Sequence, residues 1–162
     1  MHSMGESSLL AEAILDQMAD AVIYADVSGT IRRWNRAAAA LFGYNAAEAL
    51  GENLDLIIPE HMRAAHWHGF EAAMTSGVMK LQGRPTVTRA QHQTGRKLYI
   101  EMSFGLVKEG TAIRGAVAIA RDVTERVEQQ RANAHHASPN DTKPETPIAT
   151  DTGRAMATVS RP

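Results

Sequence analysis

The chain has 162 residues, the length of one typical domain. Its 17 Lys and Arg residues against 18 Asp and Glu residues leave a net charge of −1, which provides no basic field for nucleic acid or an anionic membrane. No apolar run of about 18 residues and no secretory pattern are present, and the absence of cysteine excludes disulfides and cysteinyl–flavin photochemistry within this chain. We therefore expect a soluble, cytoplasmic protein with one small folded domain.

The distribution of aromatic residues predicts where the folded domain lies. All eight fall between positions 24 and 104, whereas the last 26 positions (137–162) have Ile148, Met156 and Val159 as their only large apolar residues. Such a segment buries too little apolar surface to offset the entropy of ordering it. The predicted organisation is a flexible N-terminus, a flanking helix, the folded domain, a linker helix and a disordered tail: 1–6, 7–19, 20–122, 123–136 and 137–162.

The first half of the chain alternates helical and strand signals. An amphipathic helix capped by Ser7 or Ser8 is predicted from the spacing of Leu10, Ile14 and Met18. Short apolar stretches on either side of the turn DVSG then predict a hairpin of strands over 21–25 and 30–34. A short helix follows, capped by Asn35 and ended by Gly43, and a second one stops at Gly51.

The second half begins with the longest predicted helix, which opens at Pro59 and ends at Gly77. Three strands follow, over 78–92, 96–107 and 113–121, and the sequence Asp122-Val-Thr-Glu predicts the start of a final helix near Val127. Hairpins separated by helices predict an α+β fold with five strands. Helices on one face would enclose a small cavity between the sheet and the helix over 59–76.

Four segments in this order resemble a PAS domain: ADVSGTIRRWNRAAAALFGYNAAEALG (25–51), LIIPEHMRAAHWHGFEAAMTSG (56–77), QTGRKLYIEMSF and AVAIARDVTER (116–126). The resemblance covers about 20–126. It implies a PAS fold with a five-stranded antiparallel sheet, helices on one face and a central cavity for a ligand or cofactor. It also implies that signals pass through the flanking helices, usually in a dimer.

His66 is the candidate cofactor ligand. The sequence Arg63-Ala-Ala-His66 is similar to the setting of the iron-ligating histidine in haem-binding PAS sensors, so the resemblance implies haem iron at His66, with Arg84 on the far side. Met102 is the other soft ligand for the far side, because strand alternation directs it to the core. The alternatives are a hydrogen-bonded histidine at the domain edge, a surface arginine and a methionine that fills the core. Flavin is less favoured, because photoadduct formation needs a cysteine; redox flavin stays open.

Two faces of the 59–76 helix compete for the sheet. One carries Met62, His66, Gly69 and Ala73, and the other carries Trp67, Phe70 and Met74. Only one can point inward, and periodicity does not decide which. A structural metal site formed by His61, His66 and His68 is disfavoured, because helical spacing directs His66 and His68 to nearly opposite sides.

The expected function is a sensory module, not an enzyme, that binds a small ligand or a partner protein. The expected cavity residues are His66, Leu81, Met102, Phe104 and Ile119. We expect a homodimer that acts in trans on a kinase, cyclase or transcription regulator, as in bacterial two-component signalling, or an excerpt of a longer chain. The alternatives are a haem-based gas or redox sensor and a ligand-free dimerisation scaffold; nucleic acid and membrane partners are not expected.

Overall fold

A five-stranded antiparallel sheet, in the order β2-β1-β5-β4-β3, organises the molecule. The computed structural model describes residues 3–81 and 83–136, so the predicted tail over 137–162 lies outside the described residues. Helices and strands follow in chain order: α1 (Ser3–Gln17), β1 (Ala21–Asp26), β2 (Ile31–Trp34), α2 (Arg36–Phe42), α3 (Ala46–Ala49), a 3₁₀ turn (Leu54–Leu56), α4 (Glu60–Ser76), β3 (Thr86–Gln91), β4 (Lys97–Glu109), β5 (Ala112–Asp122) and α5 (Thr124–His136). The α+β prediction is confirmed.

Local capping chemistry explains why the helices stop and start where the sequence predicts. The Asn35 side chain accepts a hydrogen bond from the Ala38 amide and caps α2. Gly43 and Gly77 adopt left-handed backbone, with φ of 85° and 69°, and end α2 and α4. Both glycines occupy a conformation that other residues adopt only at a cost.

Three element boundaries differ from the prediction. Strand β3 begins at Thr86 rather than at residue 78, because Pro85 lacks an amide donor and the turn before it is closed by the Arg84 amide on the Leu81 carbonyl, 3.0 Å apart. Helix α1 begins at Ser3, with acidic Glu6 in its first turn, where the helix dipole favours it. Helix α5 begins at Thr124, within one residue of the predicted linker helix over 123–136 but before the start predicted near Val127, since the Thr124 amide donates to the Asp122 carboxylate at 2.9 Å.

The core lies between one face of the sheet and the helices. Strands β1, β4 and β5 contribute alternate residues to this inner face, and α2 and the 3₁₀ turn cover it. Phe42, Ile31, Leu98 and Ile100 are the largest fully buried side chains. Burial at about 25 cal/mol per Å² of apolar surface makes this cluster the main stabilising feature of the fold.

Candidate functional site

The first half of α4 is fixed by the carboxylate and carbonyl of Asp55 in the 3₁₀ turn. Trp67 Nε1 donates to Asp55 Oδ1 at 2.8 Å. Arg63 donates from Nη2 to the Asp55 carbonyl and from Nε to the Ile58 carbonyl, both at 3.1 Å. Because two of the bonds join α4 to Asp55 and the third joins it to Ile58, just before the helix, the side chains between Arg63 and Trp67 have a defined orientation.

His66 lies inside this fixed segment, against two aromatic rings. Its imidazole is 4.9 Å from the Trp67 ring in an edge-on arrangement and 5.9 Å from the Phe70 ring in a stacked one. His66 Nδ1 is buried and has no hydrogen-bond partner among the described residues. Burial lowers the pKa of His66, and the Asp55 carboxylate partly opposes this effect. The site therefore presents an imidazole whose neutral form is favoured by burial and whose buried Nδ1 is unsatisfied by the described residues.

The buried side of α4 combines residues from both predicted faces. Phe70 and Ala73 are buried, at 8% and 5% exposed, and His66 is half-buried one turn earlier. Gly69, which the first face would have placed inward, is exposed. The helix is thus turned between the two predicted orientations, and His66 and Phe70 share its inward side.

Trp67 closes the site against the turn between β1 and β2. Its ring lies over Gly29, where φ is 78° and where an added Cβ would overlap the ring. Sequence reasoning treated DVSG only as a turn and Trp67 only as part of an apolar face. The glycine in that turn and the polar Nε1 of the tryptophan were the signals that could have identified the contact.

Met102 and Phe104 lie on the inner face of the sheet, where the sequence placed them. Met102 is opposite Ala120 in the strand register and is 8% exposed, within the core cluster. Ile119 instead shares a register position with Ser103 on the other face, at 37% exposed. Alternation along β5 directs its alanines inward and Ile119 outward, which differs from the prediction that Ile119 lines the cavity.

Leu81 and Arg84 do not reach the inner face either. Both are in the turn that precedes β3, and both are exposed, Leu81 at 46%. The predicted positions assumed that β3 continues through this segment. Of the predicted haem residues, the structure thus places His66 on the inward side of α4, Met102 in the packed core and Arg84 in solvent.

Asn35 joins the N-terminal helix to the sheet. Its Oδ1 accepts the amides of Val22 and Ala38, both at 2.9 Å. Its Nδ2 donates to the carbonyls of Leu15 at 2.8 Å and Asp20 at 3.0 Å. The sequence predicted the cap but not the two bonds that hold the end of α1.

The opposite side of α1 is apolar and exposed. Leu9, Leu10 and Ile14 are 73%, 62% and 56% exposed, whereas Leu15 and Met18 are half-buried towards the domain. The predicted stripe included Met18, which lies beyond the end of α1 at Gln17 and so is not part of the free face of the helix. Three large apolar side chains on one side of a helix are typical of an interaction surface.

Fold and sequence together define a sensory domain class. A family model for the PAS fold matches residues 10–123, so the chain belongs to the PAS family. PAS domains are generally sensory, non-catalytic modules. Among the described residues, no group of three or more His, Asp or Glu side chains could hold a metal ion, and no helix is long and apolar enough to cross a membrane.

Individual relatives extend this assignment. The chain is 33% identical over 128 residues to the cell-division control histidine kinase PdhS of Brucella ovis, a match that covers 76% of this chain and 12% of the kinase. A PAS domain of a Colwellia psychrerythraea protein is 24% identical, with a TM-score of 0.63 over 75% of this chain and 99% of that one. An RNA-binding light-oxygen-voltage receptor is 25% identical, with a TM-score of 0.64 over 86% of this chain and 39% of the receptor.

Proposed function

We propose that this PAS domain works as a homodimer whose subunits pair through α1, and that it regulates a histidine kinase. The exposed apolar side of α1, formed by Leu9, Leu10 and Ile14, carries the proposal. Because burial of a leucine or isoleucine contributes about 1.5–3 kcal/mol, leaving all three in water is costly. A second copy of the same helix offers an equally apolar surface, which satisfies the symmetry of a two-fold interface.

The polar contacts of α1 support pairing on that side. Glu12 and Asp16 form ion pairs with Arg33 and Arg36, at 2.7 and 3.8 Å. These pairs join α1 to β2 and to the start of α2, so they orient the helix while Leu10 and Ile14 remain exposed. Helix α1 is therefore held in position before a partner binds, which reduces the entropic cost of association.

The test is the oligomeric state of the full chain by sedimentation velocity. Leu10→Glu and Ile14→Glu introduce a charge into the apolar side of α1, and we expect each variant to be monomeric where the wild type is dimeric. Val78→Glu is the matched control, because Val78 is 66% exposed outside α1. A monomeric wild type, or dimers that survive both α1 substitutions, would overturn the proposal.

The kinase assignment is supported by the relative PdhS, a histidine kinase. Since the chain aligns with 12% of that protein, the expected output is a change in the activity of a kinase supplied in cis or in trans. A purified kinase core that contains the catalytic region of such a relative should autophosphorylate at a different rate when the PAS domain is added. Unchanged rates with a fused and with a separate domain would contradict the assignment.

A second candidate function is recognition of a small ligand at His66. It is favoured by the buried Nδ1 that lacks a partner, since an unpaired buried polar atom is costly unless a ligand or water completes it. For haem, the donor set in the structure is His66 without a companion, as Arg84 is exposed and Met102 packs in the core. When bound at an imidazole, haem iron supplies gas-binding or redox chemistry.

Titration with hemin tests the haem form of this candidate. A sharp Soret band that saturates at one haem per chain in wild type and in His61→Ala, but not in His66→Ala, would support it. His61 is the control because it is an exposed histidine of the same helix. Absence of a saturable band, or equal bands in all three proteins, would exclude haem at His66.

A further inference from the structure

Helix α5 has no apolar face with which to dock on the domain. Between Thr124 and His135 its only large apolar side chain is Val127, which is half-buried, and the other residues are polar or alanine. A helix of this kind is not positioned by hydrophobic packing. Its direction relative to the sheet must therefore depend on polar contacts.

Besides the Thr124 hydroxyl, which accepts the Tyr99 amide at 3.0 Å, two contacts connect α5 to side chains on the outer face of β4. Arg126 Nη2 lies 3.2 Å from Glu101 Oε2. Arg131 donates to the Tyr99 hydroxyl, and its guanidinium lies 4.7 Å from the centre of that ring. Because Tyr99 and Glu101 are two residues apart on one strand, both contacts reach the same face of the sheet.

The charges continue from Glu101 across β5 to the start of β1. Glu101 is directly opposite Arg121 in the strand register. Arg121 in turn forms a two-pronged pair with Asp20, with Nε–Oδ1 and Nη2–Oδ2 distances of 2.7 and 2.8 Å. Asp20, Arg121, Glu101 and Arg126 thus form a row of alternating charge, the charge ladder. It spans the outer face from the end of the α1–β1 connection to the first turn of α5.

The ladder also reaches α1 through a buried side chain. The backbone carbonyl of Asp20 accepts a bond from Asn35 Nδ2, and the same nitrogen binds the Leu15 carbonyl in the last turn of α1. Asp20 and the last turn of α1 are therefore joined through one side-chain nitrogen. Asp20 is the better shielded end, with its side chain 23% exposed, against 52% for Arg126.

We infer that the charge ladder couples helices α1 and α5, so that a change at one flanking helix alters the order of the other without a change in the core. The inference rests on the proposed function in one respect: the flanking helices carry the signal. Each of the two inner charges, Arg121 and Glu101, has an opposite charge on both neighbouring positions of the row. Neutralising Glu101 leaves Arg121 and Arg126 as neighbouring like charges. The favourable interactions of Glu101 with both arginines are then lost.

The coupling predicted for such a row is small and sensitive to salt. Exposed ion pairs are weak individually, and two-pronged arginine–carboxylate pairs are the strongest of them. At about 1 M salt the screening length falls to about 3 Å, comparable with the contact distances in the row, so the interactions between these exposed charges are strongly weakened. High salt should therefore reproduce the effect of removing a charge from the ladder.

The test is amide hydrogen exchange on the full chain, with variants made in the Leu10→Glu background so that pairing through α1 does not contribute. We expect Arg126→Gln, a change at α5, to speed exchange in the last turn of α1 by about twofold to fivefold, the range of an exposed ion pair. Asp20→Asn, a change next to α1, should speed exchange in α5 by a similar factor. Glu109→Gln is the control, because it breaks the exposed pair with Arg114 at the β4–β5 turn, outside the ladder.

Non-additivity decides the outcome. If the two sites are coupled, the double variant Asp20→Asn/Arg126→Gln should change exchange less than the sum of the single variants. Exchange that changes only in the helix next to each substitution, or fully additive effects, would overturn the inference. The second measurement is hydrogen exchange at raised salt in the Leu10→Glu background without a ladder substitution. It does not depend on any ladder variant folding. Dimerisation through α1 is tested separately by sedimentation velocity. The dimer proposal and the coupling inference can therefore each be contradicted without the other.

Discussion

At the scale of single residues, Asn35 connects more of the molecule than any residue that the sequence singled out for chemistry. It is 5% exposed, and its amide uses both donor and acceptor atoms for four hydrogen bonds to backbone groups of α1, its connection to β1, β1 itself and α2. An amide is suited to this position because it donates and accepts at once. A carboxylate or an apolar side chain would leave part of the set unpaired.

Replacing Asn35 should therefore destabilise the fold more than the loss of a helix cap. We expect Asn35→Ala to lower the free energy of unfolding by about 2–4 kcal/mol, the sum of a cap and of buried groups left without partners. Asn45→Ala, which removes the exposed cap of α3, is the matched comparison and should cost about 1 kcal/mol. Urea unfolding followed by circular dichroism measures both; equal losses would contradict the role assigned to Asn35.

The pH dependence of stability should reveal the buried imidazole of His66. Burial holds its pKa below 6.5 in the folded protein, so the unfolded chain binds the proton more tightly. The stabilising contribution is thus present above pH 6.5 and is lost as pH falls through that value towards the folded pKa. Urea unfolding should show wild type losing more stability than His66→Leu between neutral and mildly acidic pH. The other histidines are the same in both proteins, and equal losses would argue against a buried neutral His66.

At the scale of the elements, the sequence predicts what local chemistry controls and fails where tertiary packing decides. Caps such as Asn35 and Gly43 are local, and they are found where predicted. The outward direction of Ile119 depends on strand register, which is set by pairing with β1 and β4 rather than by its neighbours in the chain. The rotation of α4 likewise depends on Asp55, whose bonds to Trp67 and Arg63 join separate elements. No periodicity in α4 encodes that contact.

The contact between the Trp67 ring of α4 and Gly29 in the β1–β2 turn can be tested by a double-mutant cycle at these two residues. Gly29→Ala imposes a left-handed backbone on a residue with Cβ, which costs about 1–2 kcal/mol, and also forces the methyl group into the Trp67 ring. We expect the alanine penalty to be clearly smaller in a Trp67→Ala background, where only the backbone cost remains. Thermal unfolding of the four proteins gives the coupling energy. An unchanged penalty would show that the ring does not rest on this turn.

At the scale of the whole molecule, the two flanking helices differ in how they are held. Helix α1 has an apolar side turned away from the domain and is fixed by Asn35 and ion pairs, whereas α5 is polar and attached through Tyr99 and Glu101. Hydrophobic surface supplies affinity, and paired charges supply orientation. Helix α1 is therefore suited to association with a partner. The position of α5, in contrast, can be altered by small electrostatic changes.

Association through α1 makes a further prediction about stability. A partner that binds only the folded state raises the melting temperature as protein concentration rises. Between about 10 µM and about 1 mM protein, we expect the melting temperature of wild type to increase by a few degrees, while that of Leu10→Glu stays constant. Differential scanning calorimetry measures this directly. Because Leu10 is exposed in the single chain, Leu10→Glu should match wild type at the lowest concentration, where subunits are apart. A variant that is already less stable there would show that Leu10 supports the monomer instead of the interface.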